Sequence, residues 1–183
     1  ALDLGEHEIE MSFSLFFKRA VALSKLQQLP QAIEDITACL KLKQQNVDAL
    51  LLRAECHFKL QNFELSILDY EALQDLSPLD RFANGLSQAK AALRAQNITK
   101  QNNLKDQGNS HFKAGRYEDA LNAYSQALKL GNLKLELTAN LYLNKALVKL
   151  KMSQTSEAIL NCNEALKIQK NYLKAILLRA QCH

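Results

Sequence analysis

The chain has 183 residues, 48% of them hydrophobic, with 5 glycines, 2 prolines and no tryptophan; that length supports one or two domains with their own core, and the composition favours helix over sheet. It holds no uncharged apolar run of about 18 residues, and the acidic opening ALDLGEHEIE lacks the basic-then-apolar layout of a secretory signal, so a soluble chain without a membrane span is expected. The net charge of +4 hides an asymmetry: residues 1–97 carry 10 Lys and Arg against 13 Asp and Glu, whereas 98–183 carry 13 against 6, so the second half suits an anionic partner.

Self-comparison exposes a fixed period. Ala20 and Ala54, Ala32 and Ser66, and Ala146 and Ala180 are each 34 residues apart. Gly108 to Ala146, Ala120 to Ala158, Tyr124 to Cys162 and Ala127 to Ala165 all span 38, which one insertion of about four residues inside GNLKLELT explains at once. Small side chains at such positions let paired helices approach closely, and larger apolar ones fill the space between pairs.

Taken in chain order, residues 1–12 are expected to be an N-terminal tail, followed by helical hairpins at 13–42 and 47–76. Pro78 falls in the turn after a second helix, where its missing N–H does least harm. Residues 79–100 read as one connecting helix, weakened by Gly85. Hairpins follow at 101–130 and 139–168, then a lone first helix from about 172 to His183. The chain stops in mid-helix and is expected to be a piece of something longer. The fold class is all-α, a helix-turn-helix solenoid.

This ladder of small and large positions resembles the tetratricopeptide repeat family over residues 13–78 and 101–183. In that fold the first helix of each pair lines a concave groove. Lys105 and Asn109, four apart, share one helix face; Asn144 lies on the next first helix and Lys174 on the one after. Two ammonium groups and two directional amides suit the carboxylate-rich end of a peptide.

Within the family, LKDQGNSHFKAGRYEDALNAYSQAL resembles the opening of a carboxylate-clamp domain. The resemblance implies that Lys105, Asn109 and Asn144 hold the terminal carboxylate of a Glu-Glu-Val-Asp chaperone tail, and that Lys174 holds the Asp side chain. It also implies an Arg four residues after Lys174, where this chain has Leu178; the adjacent Arg179 is about 100° further around the helix. The corresponding places in the first half are apolar, at Phe17, Val21, Leu52, Phe82 and Leu86. There an apolar groove for client segments, or a plain spacer, is expected.

The stretch QAKAALRAQN, followed by KDQGN and YLKAILLRAQC, resembles the middle-to-late repeats of DnaJ-type co-chaperones, which end in a J domain; clamp co-chaperones of the stress-inducible organising type are similar too. The His-Pro-Asp tripeptide of J domains does not occur in this sequence. The implied role is a co-chaperone scaffold docking the acidic tails of seventy- and ninety-kilodalton heat-shock chaperones, with client polypeptides as further partners.

Alternatives stay open. In a rival reading the grooves serve a different peptide, with the four clamp-like residues idle. Nucleic-acid binding by the basic half is disfavoured, because Lys outnumbers Arg and no aromatic interleaving marks a stacking platform. His57, His111 and His183 share one slot of the repeat, which reads as packing. Cys39, Cys56, Cys162 and Cys182 contain no C-x-x-C pair and read as buried structural thiols in a reducing cytoplasm, with the nucleus as a second compartment. No nucleophile, metal or cofactor motif is present, so the chain reads as a non-enzyme.

Overall fold

The computed structural model describes residues 2–77, 80–131 and 133–182, so Pro78 and His183 lie outside the described residues. Among these residues every regular element is helical: α1 (Leu2–Lys25), α2 (Leu29–Leu42), α3 (Val47–Lys59), α4 (Phe63–Leu76), a 3-10 turn (Asp80–Phe82), α5 (Ala83–Lys113), α6 (Tyr117–Lys129), α7 (Leu135–Lys151), α8 (Thr155–Ile168) and α9 (Leu173–Gln181). The chain forms two compact units, Ala1–Leu93 and Arg94–His183. In the first, α1, α2, α3 and α4 pack in succession; in the second, α6, α7, α8 and α9 do so.

One local device closes each hairpin. In the turn after α1, α3, α5 and α7 stands a residue with left-handed backbone: Gln27, Gln61, Gly115 and Ser153, with φ of 61°, 60°, 75° and 61°. The next residue's N–H returns to a carbonyl five positions back, as in Asn62 N–H to His57 O at 2.9 Å and Gln154 N–H to Lys149 O at 2.8 Å. This double closure satisfies the last carbonyls of the first helix. The carbonyl of that same residue then accepts the first bond of the second helix, from Ala32, Ser66, Ala120 or Ala158. The small residue thus has two functions: it starts the second helix and lets it lie close to the first. All four are fully buried.

A charged fork also recurs with the period. Arg53 donates to buried Asp69 through Nε at 2.9 Å and Nη2 at 2.6 Å, and Arg19 grips Asp35 in the same bidentate way with Nε at 2.6 Å. The planar guanidinium satisfies both carboxylate oxygens, which lets an aspartate occupy an otherwise apolar interface.

The structure departs from the sequence reading in several places. Residues 2–12 are helical, not a tail, because nothing breaks the helix upstream of Met11, and Lys43 holds its N-terminal half by pairing with Glu10 and lying over the Phe13 ring. The connecting segment and the first helix of the second half are one helix, α5. Gly85 does not weaken it by default: a Cβ there would stand 2.5 Å from the Tyr70 ring, so glycine is what lets the tyrosine seat. Finally, the inserted residues lengthen a helix more than a loop. The small residue of α3, Ala54, is the eighth of its helix, whereas Ala146 is the twelfth of α7, so α7 carries about one extra turn at its start.

Three cores result. One joins Ala20, Ile36, Cys39, Leu50, Leu73 and their neighbours in the first unit; in the second, one centres on Tyr124 and Leu141 and another on Ala146, Cys162 and Leu178. Phe82 and Leu86 are buried in the first core, so these clamp-equivalent positions fill the interior and do not line an open apolar groove.

Candidate functional site

Asn109 sits on α5 beside Gly108, where a Cβ would come within 2.4 Å of the Tyr124 ring; the glycine lets the ring pass and brings the Tyr124 hydroxyl to the next residue. That hydroxyl donates to Asn109 Oδ1 at 2.7 Å, and Asn144 Nδ2, from α7, donates to the same oxygen at 3.0 Å. Burial pushes the Tyr124 hydroxyl up to about 12, with the Asn144 amide opposing and Asp106 adding to the rise, so it remains a donor at neutral pH. With its oxygen doubly engaged, the Asn109 amide presents its N–H2, whose sole hydrogen-bond partner among the described residues is Asp106 Oδ1, at a long 3.5 Å. Asn109, Asn144 and Tyr124 line a cavity of about 260 Å³ walled by Phe112 and Leu147, with Lys113 at its edge.

Lys105 lies one turn before Asn109 and within 3.4 Å of Asp106 Oδ1. It lines a second cavity, of about 190 Å³, with Asn102, Lys134, Glu136, Leu137 and Asn140. Lys174, in the first turn of α9, is exposed, makes no ion pair with the described residues and lines neither cavity. The structure therefore brings Asn109 and Asn144 into contact and sets Lys105 one turn from Asn109 on α5, with Lys174 on α9.

Leu178 is 5% exposed and packs in the core with Leu143, Ala146 and Ala175. Arg179 donates from Nη1 to Asn163 Oδ1 on α8 at 2.9 Å, so the neighbouring cation is committed to the α8–α9 packing. The histidine slot resolves into two environments. His57 is buried, and burial holds it below its usual range, whereas His111 is partly exposed and accepts from Arg116 Nε at 3.0 Å. All four cysteines are buried free thiols, and burial pushes Cys162 up to about 11.

Sequence reasoning missed three residues. Tyr124 reads as core filler, although a buried phenol needs a partner, and Asn109, next to the small residue Gly108 on α5, is the signal. Lys134 and Asn140 were hidden by the insertion, whose effect on their direction depends on whether it forms loop or helix.

Three models described as tetratricopeptide repeat match residues 17–81, 102–132 and 139–172. The chain belongs to the tetratricopeptide repeat family. It is 33% identical over 144 residues to the DnaJ homolog subfamily C member 7 homolog of Schizosaccharomyces pombe, covering 79% of this chain and 29% of that protein. It is 28% identical over 165 residues to DnaJ homolog subfamily C member 7 of Homo sapiens, covering 90% and 32%. The chain thus spans about a third of the length of these curated relatives. The TPR2AB domain of yeast Sti1, solved as a pHSP90 complex, aligns over 93% of this chain and 69% of that one, at a TM-score of 0.44 and 18% identity. As a tetratricopeptide repeat chain, the protein is a protein–protein interaction scaffold.

Proposed function

We propose that this tetratricopeptide repeat chain is a co-chaperone scaffold whose second unit binds the acidic C-terminal tail, Glu-Glu-Val-Asp, of seventy- and ninety-kilodalton heat-shock chaperones. The observation that carries the reading is the Tyr124–Asn109–Asn144 cluster: a buried phenol donates to one amide, the second amide is bonded to it, and all three residues line one cavity, with Lys105 one turn before Asn109 on α5. Preset donors next to a cation suit a terminal carboxylate, because little is reorganised on binding. The resemblance to DnaJ subfamily C relatives and the basic excess of residues 98–183 support the same partner class. The role is recognition without catalysis. The setting is a reducing cytoplasm, which suits four buried free thiols.

A second reading rests on Leu178. With a core leucine where the resemblance implies an arginine, the cluster would serve an acidic peptide of different sequence. Titration with a peptide ending in Glu-Glu-Val-Asp, beside its C-terminally amidated form and a Lys105→Ala variant, tests the proposal. Binding of the free acid alone, at about micromolar affinity and lost on Lys105→Ala, is the expected result. Equal binding of acid and amide would move recognition away from the carboxylate, and absence of binding by the folded protein would sink the chaperone-tail reading.

A further inference from the structure

The extra turn of α7 changes the wall beside Lys105. It begins at Lys134, whose carbonyl accepts from Thr138 N at 3.0 Å and from the fully buried Thr138 hydroxyl at 3.1 Å. The strand of chain before it is tied to α5: buried Gln101 donates from Nε2 to Gly131 O at 3.0 Å, and Arg94 donates from Nη2 to Leu133 O at 3.0 Å. The backbone around Lys134 is thus held from three sides, and only its side chain loses freedom when it meets a ligand.

The cavity that Lys134 shares with Lys105 has a defined polarity. Asn140 Oδ1 is occupied by the Tyr172 hydroxyl, which leaves its N–H2 as donors. Asn102 donates from Nδ2 to Ile98 O at 3.1 Å, which leaves its Oδ1 as an acceptor. Two lysines against Glu136 leave the lining with one net positive charge. Donors and an excess cation match one carboxylate, and the acceptor matches a peptide N–H.

We propose that Lys134 supplies a second cation in place of the one that Leu178 cannot, so that the cavity of Lys105, Lys134, Asn102 and Asn140 takes the side chain of one of the two glutamates of the acidic peptide whose terminal carboxylate Asn109 and Asn144 hold. This rests on the terminal-carboxylate reading above. The acidic residue is read from the inserted turn of α7 and not from α9, which explains how Leu178 can remain in the core.

The test is calorimetric titration of the whole chain and its Lys134→Gln and Asn109→Ala variants with Glu-Glu-Val-Asp and with two peptides in which one or the other Glu is Gln. Lys134 is exposed, so its substitution leaves the fold intact, checked by circular dichroism. Lys134→Gln is expected to weaken the parent peptide about fivefold and one of the Gln peptides less than twofold, a coupling of the size seen for partly exposed ion pairs. Uniform weakening of all three peptides, or none, while Asn109→Ala still abolishes binding, overturns the Lys134 assignment and leaves the terminal-carboxylate site standing. If the folded wild-type chain binds no peptide, both fall together.

Discussion

Asn109 shows how one residue can be poised by groups that never touch a ligand. Its amide oxygen accepts from Tyr124 at 2.7 Å and from Asn144 at 3.0 Å, and the two bonds together orient the amide. Replacing Tyr124 with Phe removes the shorter of these two bonds and loosens the amide, so peptide affinity is expected to fall about three- to tenfold by titration, while the apolar ring keeps the fold near its original stability. His57 makes a different prediction. Burial, reinforced by Arg53 and opposed by Asp69, holds it below its ordinary value of about 6.5, so the folded state resists taking up a proton that the unfolded state accepts. Its contribution is present above about pH 6.5 and lost as pH falls below that value. Denaturant unfolding of the chain at pH 7.5 and pH 5 is expected to show this loss, and His57→Gln to reduce it.

At the scale of the element, the hairpin turns carry avoidable strain. Gln61 and Ser153 hold the left-handed backbone that Gly115 adopts freely at the same slot. Substituting glycine at either is expected to raise stability by about 0.5–1 kcal/mol, read from denaturant midpoints, because the relief outweighs the added freedom of the unfolded chain. Gly108 runs the other way: alanine would drive a Cβ into the Tyr124 ring, costing about 1–3 kcal/mol and disordering the donor cluster. The Arg53–Asp69 fork is expected to be worth more in the breaking than in the making. Arg53→Ala leaves a buried carboxylate without its partner, for a loss of about 2–3 kcal/mol in chemical unfolding, which Asp69→Leu in the same chain should partly restore.

For the molecule as a whole, charge is divided unevenly: residues 98–183 carry the basic excess, and Lys113 lines one cavity of that half while Lys105 and Lys134 line the other. Peptide affinity is therefore expected to fall severalfold between about 0.05 and 0.5 M salt, since exposed lysines attract the acidic tail through solvent that salt screens. Much of this protein was legible before any coordinates. The 34-residue spacing of Ala20, Ala54, Ala32 and Ser66 fixed the helix pairs and their close sides, because close packing of two helices admits only small side chains at the crossing, whatever surrounds them. The grouping of Lys105 and Asn109 followed from helical geometry alone. Other features needed the folded chain. Sequence located an insertion in GNLKLELT but could not say that it lengthens α7, and only that choice turns Lys134 toward Lys105. Gly85 reads as a weak point in the sequence, whereas in the folded chain the Tyr70 ring packs against it. Spacing along a helix determines which residues share a face, whereas what that face meets is set by residues far away in the chain, and only tertiary packing brings those together.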